Sequence, residues 1–119
     1  MFPKINLTST AAWKELTDHY EEIKSVQMKD LFKADPERFA KYSLTKEDIL
    51  FDFSKNIITE KTFQLLQKLA NECKLKDAIN AMFDGEKINQ TENRSVLHTA
   101  LRNFSGKPVL VDGKDVIPM

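Results

Sequence analysis

Ser95 and His98 stand close enough in sequence to share a face of one helical turn. A serine beside a histidine is the smallest set from which a nucleophile and its base can be built. The surroundings argue against that chemistry, because Ser95 lacks the flanking glycines of a nucleophile elbow. The pair reads as ordinary neighbours on a helix. The densest polar stretch, residues 86–102, brings together Lys87, Asn89, Thr91, Glu92, Asn93, Arg94, His98 and Arg102. Such a set could line a polar cleft. Spacing alone favours a solvated helix face, with Thr91 as its cap and one histidine fixed by hydrogen bonds. His19, next to Tyr20 on a charged segment, reads as a surface histidine.

Other chemistries are harder to find. Three glycines, Gly85, Gly106 and Gly113, do not stand at the spacing of a phosphate-cradling loop. One cysteine, Cys73, cannot close an internal disulfide, and the two histidines lie too far apart in sequence to suggest a zinc site. No metal or cofactor is expected. Eighteen basic residues balance eighteen acidic ones, so the net field has no sign with which to collect nucleic acid or an anionic membrane. Met1 to Trp13 has a polar run where a signal peptide would need an apolar one, and no stretch approaches the length of a membrane span. The expectation is a soluble protein of a reducing compartment, with 119 residues and 41% apolar content suited to one domain and one core.

The elements that position these residues follow from periodicity. Ser9 or Thr10 can cap a helix with Trp13, Leu16, Tyr20 and Ile23 on its apolar face. Met28, Leu31 and Phe32 form a second stripe, which Asp35-Pro36 ends while opening a short helix that would bury Phe39 and Tyr42. Residues 49–54 alternate in the manner of a half-buried strand, with Ile49, Phe51 and Phe53 on one side. Thr59 caps the clearest helix, whose stripe is Phe63, Leu66, Leu69, Ala70 and Cys73. A further helix carries Ala78, Ile79, Met82 and Phe83 and stops at Asp84-Gly85. Thr91 should open another, holding Leu97, Ala100 and Leu101. Residues 108–117 form a β-hairpin about Asp112-Gly113, the dipeptide suited to a type I′ turn, with Val111 opposite Lys114 and Val109 opposite Val116. The fold class is α+β, mostly helical, and the chain ends at Pro118-Met119 directly after the hairpin.

The stretch Gly85-Glu86-Lys87-Ile88-Asn89-Gln90-Thr91-Glu92-Asn93-Arg94-Ser95-Val96-Leu97-His98-Thr99-Ala100-Leu101-Arg102-Asn103 closely resembles a characteristic segment of glucose-6-phosphate isomerases. Asp35-Pro36-Glu37-Arg38-Phe39, Asp52-Phe53-Ser54-Lys55-Asn56 and Val111-Asp112-Gly113-Lys114-Asp115-Val116-Ile117-Pro118 agree with the same family in the same order. Phe53 and Ser95 depart mildly, standing where the family commonly has tyrosine and alanine. The large departure is length, since the family's enzymes are several times longer and the likeness is to their N-terminal portion.

The resemblance implies that residues 1–119 are the N-terminal helical segment of a larger α/β, sugar-isomerase-type enzyme. That enzyme would be cytoplasmic and homodimeric, acting in glycolysis and gluconeogenesis on a sugar phosphate. The family interconverts glucose 6-phosphate and fructose 6-phosphate through a cis-enediol. A glutamate moves the proton between C2 and C1, a histidine and a lysine help to open the ring, and serines and threonines hold the phosphate. In the family those groups belong to the domains that follow, so no residue here inherits a catalytic or cofactor-binding role. Arg94 and His98, four residues apart, would support structure from one helical face by a shared polar contact with the downstream catalytic domain. The rival reading is a free-standing helical module that binds a protein through its apolar faces.

Overall fold

The computed structural model describes residues 4–117, so Pro118 and Met119, and the first three residues, lie outside the described part. The chain divides into two compact units, residues 11–68 and residues 4–10 with 69–117, and the boundary falls inside a helix.

In residues 11–68, α1 (Ala11–Ile23), α2 (Met28–Ala34) and α3 (Arg38–Lys41) precede a hairpin of β1 (Ser43–Lys46) and β2 (Ile49–Asp52), and α4 (Glu60–Glu72) follows. The helix α1 is where expected, but its buried line is turned by one residue. Ala12 and His19 are buried, Leu16 and Ile23 half-buried, and Trp13 and Tyr20 exposed. The sequence pattern treats His19 as polar and places it outside, whereas its two ring nitrogens are both hydrogen-bonded within the fold. A buried polar group costs little once its partners are supplied. Asp35 does not cap α3 itself; its carboxylate accepts the Glu37 N–H at 3.1 Å, closing the turn before the helix. Tyr42 is buried as expected and Phe39 is half exposed.

The predicted strand has a partner that periodicity did not reveal. β1 pairs antiparallel with β2, with Ser43 opposite Asp52 and Lys46 opposite Ile49. The connecting Glu47-Asp48 lacks the usual Asn-Gly or Asp-Gly signature, yet Glu47 adopts φ 54°. The expectation of a half-buried strand is not met: Leu44, Ile49, Leu50 and Phe51 are all more than half exposed. A two-stranded sheet has nothing stacked on its faces unless another element supplies it, and none within this unit covers these four.

In α4 the cap is the expected Thr59, whose hydroxyl accepts the Thr62 N–H at 3.3 Å. Thr62 returns the favour by accepting the Thr59 N–H at 3.0 Å. This reciprocal pair has the logic of a capping box, with threonine at the position glutamate usually fills.

In the second unit, α5 (Leu75–Phe83) ends where Asp84-Gly85 predicts. The Gly85 N–H donates to Met82 and the Glu86 N–H to Ala81, the paired bonds of a Schellman motif, and Gly85 takes φ +80°. The C-terminal hairpin also stands as expected: β3 (Leu110–Val111) pairs with β4 (Lys114–Asp115), and Asp112 and Gly113 supply φ 49° and 78°. Val116 N–H donates to Val109 at 2.9 Å, so the predicted register holds. The helix expected to open at Thr91 is absent. Residues 91–93 form a turn, and only a short 3-10 turn, Ala100–Arg102, follows.

Apolar burial is thin. Tyr42 and Ala12 are the buried apolar residues of the first unit, and Ala81, Ala100 and Val109 those of the second, among the described residues. Polar anchors therefore carry much of the local order.

Candidate functional site

The loop of residues 89–94 is held by short-range bonds of the Asn89 side chain, to two neighbouring side chains and to one backbone N–H. Asn89 Oδ1 accepts from the Thr91 hydroxyl at 2.9 Å and from the Glu92 N–H at 3.3 Å. Its amide donates to Glu92 at 3.2 Å. Asn89 and Arg94 exchange backbone bonds, each 3.1 Å long, and Asn93 takes φ 52° to close the turn. Local Asn and Thr bonds of this kind compete with helix, which is why the sequence pattern opens a helix here and the chain forms a loop.

The two cations nearest this loop have carboxylate partners. Arg94 Nε lies 3.2 Å from Glu92 and Lys87 Nζ 3.0 Å from Asp112. Arg94 is largely exposed, as is His98, and no helix joins them. The premise that they share one helical face is thus corrected: residues 95–97 carry no regular structure. Ser95 is not aimed at His98. Its hydroxyl donates to the Gly85 carbonyl at 2.6 Å, tying the loop to the end of α5.

An open groove of about 580 Å³ lies beside the loop, with Cys73, Ile88 and Leu7 as apolar lining and Lys4, Asn89, Gln90 and Thr91 as polar lining. Its chemistry is that of a surface that could receive a side chain or small polar group. Glutamate, histidine and lysine, the types needed to move a proton beside a carbonyl and open a sugar ring, do not converge there apart from Lys4. Among the described residues no group of three or more His, Cys, Asp or Glu could hold a metal ion.

The side chains with the most elaborate surroundings lie in residues 11–68: Arg38, which its spacing does not single out, and His19, which the sequence places at the surface and the structure buries. Arg38 is 3% exposed. Its Nε donates to the Ser54 carbonyl at 2.8 Å, and one terminal nitrogen donates to the carbonyls of Asn56 and Ile58 at 2.7 and 3.0 Å. The guanidinium also sits 4.8 Å from the Tyr42 ring centre and 5.6 Å from that of Phe32, within range of cation–π attraction. A single arginine thereby fixes the loop after β2. The second is His19, bonded to Glu22 at 2.8 Å and to Thr62 at 2.7 Å.

Three carboxylates here are held below their ordinary range. The Ser54 hydroxyl and N–H, followed by Lys55, bring Asp52 to about 2. Lys61 and then His19 lower Glu22, and Lys41 lowers Asp35 while being raised by it in turn. These are exposed or rim groups whose bonds stabilise turns and helix ends. Sequence could have flagged Arg38 through Asp35-Pro36-Glu37-Arg38-Phe39, one of the stretches carrying the family likeness, though nothing in its spacing says that the guanidinium is buried.

The family model described as phosphoglucose isomerase matches residues 52–119. That span begins at Asp52, the last residue of β2, and takes in α4, α5, the 89–94 loop and the C-terminal hairpin.

Proposed function

The chain belongs to the phosphoglucose isomerase family, and from that premise we propose that it is the N-terminal part of an enzyme interconverting glucose 6-phosphate and fructose 6-phosphate through a cis-enediol. Within that enzyme these 119 residues act as scaffold and do not perform the chemistry alone. The observation that carries this reading is the family match, which runs through more than half of the chain and includes its densest polar segment.

The local chemistry supports the scaffold role. Moving a proton between adjacent sugar carbons needs a base beside them, a group at the ring oxygen and an anchor for the phosphate. In residues 86–95 the cations are engaged by Glu92 and Asp112, and Ser95 is engaged by a backbone carbonyl. The base, the ring-opening pair and the phosphate-binding hydroxyls come from domains downstream, and the complete enzyme is a cytoplasmic homodimer needing no cofactor. No helix among the described residues is long and apolar enough to cross a membrane.

One observation favours the rival reading of a free-standing interaction module: the exposed apolar side chains Leu44, Ile49, Leu50 and Phe51 of the β1–β2 hairpin. Two measurements separate the readings. The purified chain, supplied with glucose 6-phosphate at high protein concentration, should form no fructose 6-phosphate, and turnover near that of a complete isomerase would overturn the scaffold role. The reading frame beyond Met119 should continue into glycine- and serine-rich sugar-phosphate motifs, whereas a stop codon would favour the module.

A further inference from the structure

The His19 ring is almost wholly buried, at 3% exposure, and the proposed chemistry makes no use of it. Its Nδ1 lies 2.8 Å from Glu22 Oε2. An ionised carboxylate can only accept, so Nδ1 carries a proton. The other nitrogen, Nε2, lies 2.7 Å from the Thr62 hydroxyl. That hydroxyl also accepts the Thr59 N–H at 3.0 Å and stands 3.0 Å from the Thr59 hydroxyl. Thr62 is buried and Thr59 half-buried.

These contacts can be satisfied in two ways. With a neutral ring, the Thr62 O–H donates to Nε2 and the Thr59 O–H donates to Thr62 Oγ1. With a protonated ring, Nε2–H donates to Thr62 Oγ1 and the Thr62 O–H turns to Thr59 Oγ1, while the Thr59 O–H is released towards solvent. Thr62 Oγ1 accepts two bonds in each arrangement, the capacity of its lone pairs. The added proton comes from solvent, and no heavy atom need move.

We propose that the Thr59–Thr62 hydroxyl pair is a reversible proton-accommodating latch, which holds α1 against α4 through His19 whether the buried imidazole is neutral or charged.

The charged groups at the ring are Glu22 from α1 and Lys61 from the first turn of α4, whose ammonium lies 2.6 and 2.8 Å from the Glu22 oxygens. Lys61 and then His19 keep the Glu22 carboxyl below its usual range, so it remains an ionised acceptor under mildly acidic and neutral conditions alike. A buried histidine without such a relay would lose a bond on gaining or losing its proton, and the helix junction would loosen.

The test removes the last acceptor. Thr59→Val deletes the hydroxyl to which Thr62 turns when the ring is charged, and also removes the cap of α4 at every pH. The chain carrying it should melt lower than the unaltered chain throughout. The deficit should be larger by a few degrees at about pH 5.5 than at about pH 8. Thr59→Ser keeps a hydroxyl and should show no added deficit at the lower pH. In a His19→Gln background the pH dependence of the Thr59→Val deficit should vanish. An equal Thr59→Val deficit at both pH values, or failure of serine to abolish the difference, overturns the proposal. Should Thr59→Val not fold, nitrogen NMR of the unaltered chain decides. His19 Nε2 should acquire its proton on acidification while the amides of His19 and Thr62 keep their protection relative to the intrinsic exchange rate at each pH, and a many-fold loss of that protection at the lower pH overturns the latch.

Discussion

Residues 11–68 are anchored by long polar side chains sunk into the fold, Arg38 on three carbonyls and His19 between Glu22 and Thr62. Residues 69–117 rely more on backbone conformation, backed by short-range side-chain bonds about Asn89: the Schellman end of α5 at Gly85, the positive φ of Asn93, and the Asp112-Gly113 turn. Both units bury few apolar side chains, so each must fix its loops by other means. The first spends side-chain entropy to do so. An arginine or histidine ordered in this way must recover that loss through bonds made in a water-poor setting. The second uses residues that reach left-handed geometry at low cost. The two strategies fail differently, and substitutions can tell them apart.

The largest effect should follow loss of Arg38. Arg38→Met removes donors from the carbonyls of Ser54, Asn56 and Ile58 and should destabilise residues 11–68 by about 3 kcal/mol, read from urea unfolding. Arg38→Lys should rescue little, because an ammonium cannot present the guanidinium fork. Full rescue by lysine would show that charge alone, and not the forked geometry, holds the loop.

Gly85 is the equivalent test of the backbone strategy. A Cβ there would meet the Leu110 carbonyl and Val109 Cγ1, each at 2.9 Å, in addition to the strain of φ +80°. Gly85→Ala should cost about 2 kcal/mol. Gly113 has φ +78° but open space about it, so Gly113→Ala isolates the conformational part and should cost about 1 kcal/mol. Equal melting points for the two variants would mean that β3 does not pack on the end of α5 as closely as the structure has it.

A smaller effect concerns acid. The folded Asp52 carboxyl is lowered from 3.8 to about 2, chiefly by Ser54. Its contribution is therefore fully present above the unfolded value of 3.8 and is lost as pH falls through about 2. Asp52→Asn should lower the melting temperature near neutrality, where the carboxylate's contribution is present, and should lessen the further drop over that interval. Glu22 and Asp35 act with the same sign, so part of the acid sensitivity should remain.

What could be read from the sequence divides along the same line. The end of α5 at Asp84-Gly85, the Asp112-Gly113 hairpin and the Thr59 cap were legible because a single residue type answers a local backbone need. The burial of His19 and Arg38 was not. Each depends on partners far along the chain, Thr62 and Ser54, which no local period encodes. β1 was hidden by a Glu47-Asp48 turn without glycine. The helix expected from Thr91 failed because Asn89, Thr91 and Glu92 satisfy one another and the backbone in a loop. The likeness to isomerases was carried by the motifs themselves, independently of whether the local structure around Arg94 and His98 was read correctly.

The scaffold reading is tested most directly at those two residues in the full-length enzyme. Arg94→Ala and His98→Ala alter exposed side chains of this chain, and here each should change stability by no more than about 0.5 kcal/mol. In the complete enzyme, where we propose that they support contact with the downstream domain, the variants should lose thermal stability while kcat, measured per folded molecule on glucose 6-phosphate, stays close to that of the unaltered enzyme. A fall in kcat of several orders of magnitude with an unchanged melting curve would contradict the account and place one of these side chains in the chemistry.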